Sequence, residues 1–322
     1  MQPFSLLVKP VGGACNLDCR YCFYKSHAGG RMSAAVLERA LSSYAALPFA
    51  QKSVAFQGGE PLLYDELFDA TATFPFSKSI QTNATLIDSN IAARLAEGGW
   101  LVGVSLDGPA PVHNVNRQNS FDDVVRGIGH LERFGADYNL LTVVSKTNVA
   151  QPAALYRFLR DNFKTRFHQY IECTGPDAML AVTGEEWGRF LIGLYDEWSK
   201  HDAGKVFVRL FESIAAALAT GRSAQCSFAR DCRHYLVVEH DGSVYPCDFF
   251  VRDDLRLGNV MDNTWEELVE SPVYAAFAAA KTNSLPAACR ECEYIALCNG
   301  DCPRNRQRLC SGWKSFFKML KS

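Results

Sequence analysis

Twelve cysteines dominate the chemistry open to this 322-residue chain, and they are unevenly spaced. Three fall within eight residues, in Cys15-Asn-Leu-Asp-Cys19-Arg-Tyr-Cys22; eight more lie between 226 and 310, and only Cys173 stands alone. Isolated cysteines are commonly inert buried thiols, and disulfide frameworks belong to small secreted domains. Clustering of this kind is the pattern of metal ligands. The CxxxCxxC segment offers three thiolates, one fewer than a four-iron cluster takes. The missing ligand leaves one iron open, and an open metal position is what substrate chemistry requires. Zinc, which usually takes four ligands and favours C-x2-C pairs, is the competing reading. The later cysteines run Cys226, Cys232, Cys247, then Cys289-x2-Cys292-x5-Cys298-x3-Cys302, and Cys310. Eight thiolates suffice for two complete four-ligand sites, whether of iron–sulfur clusters or of zinc.

The elements that must position these groups alternate. Short apolar runs at Ser5–Pro10, Ser53–Gln57, Ser79–Thr82, Val102–Leu106, Asn139–Val144 and Phe167–Ile171 are bounded by Gly, Pro or polar turn residues, as strands are. Helical patterns lie between them. The clearest opens at Ser120, read as an N-cap with Asp123 completing a capping box, and continues through Val124, Ile128, Leu131 and Phe134. Others are expected after Asp88 and over Glu185–Ser199. Six βα units in series predict an α/β fold with a parallel sheet and helices outside. They are too few for an eight-unit barrel, so a partial (β/α)6 barrel of the TIM type is expected. CxxxCxxC directly follows the first strand, at the edge of the sheet where active sites of such folds lie. Near residue 210 the character changes. An Ala-rich helix is expected over Phe211–Thr220, a hairpin around Asp241-Gly242 within Tyr235–Pro246, and a short helix over Trp313–Leu320. The expected division is 1–210 and 211–322, closely packed because no low-complexity linker intervenes.

Composition excludes some partners. The chain is 48% hydrophobic and 21% charged, with 33 Lys+Arg against 35 Asp+Glu and a net charge of −2. That near-neutral balance gives no sign of a nucleic-acid surface. No apolar run approaches the roughly 18 residues of a membrane helix. Met1–Pro10 lacks a basic segment before its apolar stretch, and Lys9 interrupts it, so it reads as a strand and not as a signal peptide. A cytoplasmic location is the expectation.

CxxxCxxC after the first strand of a βα series resembles the radical S-adenosylmethionine (SAM) superfamily. The resemblance implies that the open iron binds the amino and carboxylate groups of SAM, whose reductive cleavage yields a 5′-deoxyadenosyl radical. Gly58-Gly59-Glu60-Pro61 follows the second strand and matches the family's GGE motif, which implies contacts from its backbone and Glu60 to the SAM amino group. Gln81-Thr82-Asn83 ends the third strand and Ser105-Leu106-Asp107-Gly108 the fourth. Asn83 and Ser105 are thereby assigned to SAM, or else to strand-end capping, and Arg117 to the SAM carboxylate. Tyr21 and Tyr24 flank Cys22; they are assigned to the cofactor and substrate sides, or else cover the cluster. Gln57 joins Tyr24 on the substrate side.

Cys232-x9-Gly242-x4-Cys247, the run from Cys289 to Cys302 and a last cysteine resemble a SPASM domain. Two auxiliary [4Fe–4S] clusters are implied, three in all with the first. Carried over residue by residue, Cys226, Cys232, Cys247 and Cys302 hold one, and Cys289, Cys292, Cys298 and Cys310 the other. The seven residues between Cys302 and Cys310 are fewer than the family's spacing, implying a deleted loop with an intact ligand.

Val244-Tyr-Pro-Cys247-Asp248-Phe-Phe250, together with Cys15–Tyr24 and Phe56–Glu60, resembles the anaerobic sulfatase-maturating branch. Gln169–Cys173 is similar to a strand segment of that branch, giving Cys173 a structural reading. The implied reaction converts a Cys or Ser of a sulfatase precursor to Cα-formylglycine. Asp248 takes the thiol or hydroxyl proton, and the adjacent auxiliary cluster accepts the remaining electron; a turn cap is the alternative for Asp248. A low-potential electron donor such as flavodoxin or ferredoxin and a monomeric enzyme are also expected. The main rival is a SPASM maturase that crosslinks a ribosomally made peptide. Such enzymes often carry an N-terminal peptide-binding domain, for which Cys15 leaves no room. A non-catalytic cluster or zinc protein would not need GGEP or polar strand ends.

Overall fold

Ten strands form one open sheet in the order β10-β9-β8-β1-β2-β3-β4-β5-β6-β7. They are β1 Ser5–Val8, β2 Ser53–Phe56, β3 Ser77–Thr82, β4 Leu101–Ser105, β5 Tyr138–Val144, β6 Phe167–Glu172, β7 Phe207–Val208, β8 Tyr235–Val238, β9 Ser243–Tyr245 and β10 Gly258–Asn259. The computed structural model describes residues 3–173, 177–223 and 225–321. Strands β1 to β7 are parallel. The six strands expected from sequence are all present, and the sheet stays open as a partial barrel does. β7 was not expected, because two residues are too few to show a period.

The helices are α1 Ala34–Ala45, α2 Leu67–Thr71, α3 Ser89–Glu97, α4 Ala110–Asn116, α5 Phe121–Phe134, α6 Pro152–Asn162, α7 Gly184–His201, α8 Arg209–Thr220, α9 Trp265–Glu270, α10 Pro272–Asn283, α11 Ala287–Arg290, α12 Ile295–Cys298 and α13 Arg306–Lys321. The expected boundary at 210/211 falls inside α8. Strand alternation separates two environments. Leu6, Val8, Val54, Phe56, Ile80, Val102, Val104 and Leu140 face the helices and join Leu41, Leu95, Ile128 and Leu159 in the main core. The intervening positions, among them Leu7, Ala55, Gln57, Gln81, Ser105, Leu141 and Gln169, line a cavity of about 1460 Å³.

The hairpin expected around Asp241-Gly242 is β8–β9, and it docks on the barrel. β8 pairs in parallel with β1, with Val238 opposite Val8. Val8 is also opposite Phe56 of β2. The residues that follow, Glu239, Lys9 and Gln57, therefore leave three adjacent strands side by side. The cysteine-rich half thus extends the sheet of the first half.

Two local expectations need correction. Ser120 precedes α5, but its hydroxyl makes no cap bond; it meets His113 Nε2 at 3.0 Å. The backbone there has ψ 3° instead of the extended ψ of a capping residue, which turns the hydroxyl toward the buried imidazole. Asp123 pairs with Arg126 at 2.7 Å instead of closing a capping box. Phe134, at the last turn of α5, is 39% exposed, because the apolar stripe runs past the edge of the core there. Asp88 does cap α3, accepting from the Ile91 N–H at 2.8 Å.

The C-terminal helix begins at Arg306, well before the expected Trp313, and carries Cys310. Cys310 therefore lies on a helix and not on a loop. The helix axis comes very close to α7: a Cβ on Gly312 would lie 2.2 Å from the Gly184 carbonyl oxygen and 2.8 Å from the Gly188 nitrogen. Only glycine permits that approach. Gly312→Val is expected to destabilise the protein by about 1–3 kcal/mol through overpacking, read as a lower Tm; an unchanged Tm would show that the helices can separate freely.

Candidate active site

The loop after β1 carries Cys15, Cys19 and Cys22 at the C-terminal edge of the sheet. GGEP fixes it by main-chain pairing: the Gly59 N–H donates to Gly12 O at 2.7 Å and the Glu60 N–H to Ala14 O at 2.8 Å. The glycines are required by this approach, since a Cβ on Gly59 would sit 1.7 Å from Ala14 O, and Gly58 has φ +139°. Gly58 and Gly59 line the cavity with the three cysteines. Glu60 departs from expectation. It is fully buried, and its carboxylate accepts from Thr82 Oγ1 (2.7 Å) and the N–H groups of Leu62 (3.1 Å) and Asn83 (2.8 Å). Burial pushes its pKa up to about 7. Its visible work is to tie β3's end to the GGEP turn, turned away from the cavity.

Asn83 and Ser105 both line the cavity. Asn83 Nδ2 donates to Asn16 Oδ1 at 2.8 Å and lies 3.8 Å from Cys15 Sγ. Ser105 Oγ accepts from Gln81 Nε2 at 3.1 Å. Arg117 also reaches the wall, but its Nε is engaged by Asp107 Oδ2 at 3.1 Å in a buried ion pair, and its guanidinium lies 5.3 Å from the Tyr21 ring. The Tyr21 hydroxyl donates to the same carboxylate oxygen. Tyr21, Asp107 and Arg117 therefore form one fixed unit under Cys19. Cys173 is buried beside Tyr21, Val143 and Leu180, as its structural reading requires.

Asp248, also on the cavity wall, is buried and doubly held. Gln57 Nε2 donates to Oδ2 at 2.9 Å, and the Tyr235 hydroxyl donates to Oδ1 at 2.8 Å. Tyr235 also lies 3.3 Å from Cys247 Sγ. Tyr24 is buried, and its hydroxyl donates to Glu239. The two residues assigned to the substrate side, Gln57 and Tyr24, are thus both tied to carboxylates. Further along the wall, Arg209 donates to Gln169 at 3.3 Å, and burial raises the Glu172 pKa to about 7.

The thiols gather in three groups. Charges on Cys15 and Cys22 bear on Cys19. Cys226 acts on Cys232 and Cys302, and Cys302 on Cys247; all four line the cavity. Cys289 and Cys292 act on Cys310, and Cys310 on Cys298, away from the cavity wall. Burial pushes Cys19 up to about 11 and Cys298 and Cys302 up to about 12. Such thiols stay protonated near neutrality unless a metal takes the proton's place. Among the described residues, no three His, Cys, Asp or Glu side chains are set to hold one metal ion. Three cysteines on one loop and eight beyond residue 225 make an all-thiol donor set of the kind that iron–sulfur clusters take.

Sequence reasoning missed three polar residues here. Lys9 lines the cavity from the end of β1; its signal was a charge interrupting an apolar strand. Tyr235, which holds Asp248, had no local signal. Lys281, fully buried in α10, donates to Cys226 O at 2.8 Å and Ser227 O at 2.7 Å; an isolated lysine at the end of an Ala-rich helix reads as solvent-facing.

An open parallel sheet with CxxxCxxC after its first strand, GGEP after its second and a cysteine-rich extension defines a radical SAM enzyme with an auxiliary-cluster domain. The radical SAM superfamily model matches residues 10–159, and the SPASM iron–sulfur cluster-binding domain matches 226–293. The serine-type anaerobic sulfatase-maturating enzyme of Bacteroides thetaiotaomicron is 32% identical, over 98% of this chain and 89% of that protein. The cysteine-type enzyme of Clostridium perfringens is 33% identical, over 99% and 96%. The solved structure of native anSMEcpe with bound AdoMet and Cp18Cys peptide superposes with TM-score 0.91 at 32% identity, covering 99% of this chain and 97% of that one. The chain belongs to the radical SAM/SPASM enzymes, with anaerobic sulfatase-maturating enzymes as full-length relatives. Membership implies SAM and [4Fe–4S] clusters as cofactors. Among the described residues no helix is long and apolar enough to cross a membrane.

Proposed function

We propose that this chain oxidises a Cys or Ser side chain of a polypeptide, of the sulfatase-precursor class, to Cα-formylglycine. The observation that carries the reading is Asp248, a buried carboxylate next to Cys247, held by Gln57 and Tyr235 on the wall of the cavity that Cys15, Cys19 and Cys22 also line. In this reading those three cysteines hold the cluster that binds SAM. Cys226, Cys232, Cys247 and Cys302 hold a second [4Fe–4S] cluster, and Cys289, Cys292, Cys298 and Cys310 a third. Gly58, Gly59, Asn83 and Ser105 line the place of SAM, and Arg117, fixed by Asp107, offers its remaining N–H groups to the SAM carboxylate. When bound, SAM and its cluster supply the radical that removes a hydrogen atom from the target Cβ. The chain's own part is to take the thiol or hydroxyl proton; the remaining electron would pass to the cluster that Cys226, Cys232, Cys247 and Cys302 would hold, and for a Cys target water would then replace sulfur, released as hydrogen sulfide. Gln57 and Tyr235 each engage one Asp248 oxygen, which leaves a second lone pair on both for that proton. The full-length relatives support the substrate class, and the peptide bound to anSMEcpe supports a polypeptide.

The test is mass spectrometry of a Cys/Ser-x-Pro-x-Arg peptide incubated with SAM and the reduced, reconstituted enzyme. An aldehyde at the Cys or Ser, trapped by a hydrazine, is expected together with 5′-deoxyadenosine. A crosslinked peptide, or 5′-deoxyadenosine beside an unaltered peptide across the Cys and Ser series, would overturn the substrate assignment.

A further inference from the structure

The corner where β8, β1 and β2 end side by side holds a polar group with no task in the reaction above. Lys9 is 1% exposed, yet it lines the cavity. Among the described residues its Nζ has no hydrogen-bond acceptor. Instead Nζ stands 3.3 Å above the centroid of the Tyr24 ring. That ring cannot swing away: His27 stacks on it at 4.1 Å and 9°, which leaves the opposite face to Lys9, and its hydroxyl donates to Glu239. Backbone pairing fixes the base of the lysine, whose N–H donates to Val238 O at 2.9 Å. The ammonium is therefore held at both ends of its side chain.

Lys9 Nζ faces the cavity with an aromatic face as its near partner, so its N–H donors can turn to an acceptor that arrives with the substrate. The surroundings say which kind. The Asp248 and Glu239 carboxylates both bear on the Lys9 charge. They disfavour a further anion and leave a neutral acceptor as the better fit. Gln57 and Tyr24 each spend a donor on a carboxylate, whereas among the described residues the Lys9 ammonium spends none. A polypeptide that presents its target side chain to Asp248 necessarily brings main-chain carbonyl oxygens into the same corner.

We infer that Lys9 is a substrate-binding residue, whose Nζ donates to a main-chain carbonyl oxygen of the polypeptide at or beside the target residue. The inference rests on the polypeptide-oxidation reading and adds the group that seats the chain against Asp248. It does not depend on whether the target is Cys or Ser, since both present the same carbonyl.

Fluorescence anisotropy of a labelled Cys-x-Pro-x-Arg peptide, with reconstituted enzyme and SAM but no reductant, tests it without turnover. Lys9→Met keeps the chain length and removes the donor. Peptide affinity is expected to fall roughly 10- to 100-fold, the worth of a charge-assisted hydrogen bond, with iron content retained, and Lys9→Arg should restore part of the loss. A thioamide at the target carbonyl, a weaker acceptor, should weaken binding to the wild type and change little in Lys9→Met, because the two changes remove one interaction. Equal peptide affinity in Lys9→Met and wild type overturns the inference. So does an equal thioamide penalty in both, or a loss confined to SAM affinity. If Lys9→Met loses its clusters, Lys9→Leu, which also lacks a donor, carries the same comparison. A wild-type enzyme that binds none of these peptides counts against the polypeptide reading itself and not against Lys9 alone.

Discussion

Replacing Cys15, Cys19 and Cys22 together by alanine is expected to abolish 5′-deoxyadenosine formation and to lower iron from about twelve atoms per chain to about eight. The reason is geometric. The three thiols lie on one loop after β1, whereas eight of the other nine lie on elements after residue 225. The loop itself should survive the change. Its course is set by main-chain bonds from Gly59 and Glu60 to Gly12 and Ala14, and the Glu60 carboxylate holds the GGEP turn from below. Chromatography of the nucleoside product and an iron assay after anaerobic reconstitution check both halves. Continued SAM cleavage in the variant would show that the chemistry does not reside at CxxxCxxC. A wild-type enzyme with about four irons and tightly bound zinc would remove the auxiliary clusters from the reading.

What the sequence revealed was what is local or stoichiometric. Six parallel strands could be read because each is a short apolar run between turn residues, and the Asp241-Gly242 hairpin because its turn chemistry is explicit. The count of eight later cysteines was enough for two four-ligand sites. Pairings across long separations were not legible. Nothing in Tyr235–Val238 says that it will lie against Ser5–Val8, some 230 residues earlier. That pairing sets Glu239, Lys9 and Gln57 in one row, while Tyr235 reaches Asp248 across the β8–β9 hairpin, where Val237 is opposite Tyr245. Direction was equally hidden. Glu60 sits in a motif assigned to the cofactor, yet the structure turns its carboxylate inward. Arg117 reaches the cavity only as the partner of Asp107. Lys9 was visible merely as a charge in an apolar strand, which argued against a signal peptide and gave no hint of a cavity.

Asp248→Asn is expected to slow product formation by roughly 10²- to 10⁴-fold, the usual worth of positioned proton transfer. The substitution is nearly isosteric, and the structure shows how the site accommodates it. The Tyr235 hydroxyl, now 2.8 Å from Oδ1, still finds an acceptor in the asparagine carbonyl oxygen. Gln57 Nε2, now 2.9 Å from Oδ2, would face an amide nitrogen, but rotating the Gln57 amide by half a turn presents its oxygen instead. Both hydrogen bonds survive, so Cys247 and its neighbours keep their places and iron content should not change. What disappears is the basic oxygen. SAM cleavage should fall far less than product formation, since Asp248 follows Cys247 and is not on the CxxxCxxC loop. The informative quantity is the ratio of aldehyde-bearing peptide to 5′-deoxyadenosine, which should drop in the variant. An unchanged ratio and rate, with full iron content, would assign Asp248 to holding the turn after Cys247. The proton acceptor would then have to be sought elsewhere on the cavity wall.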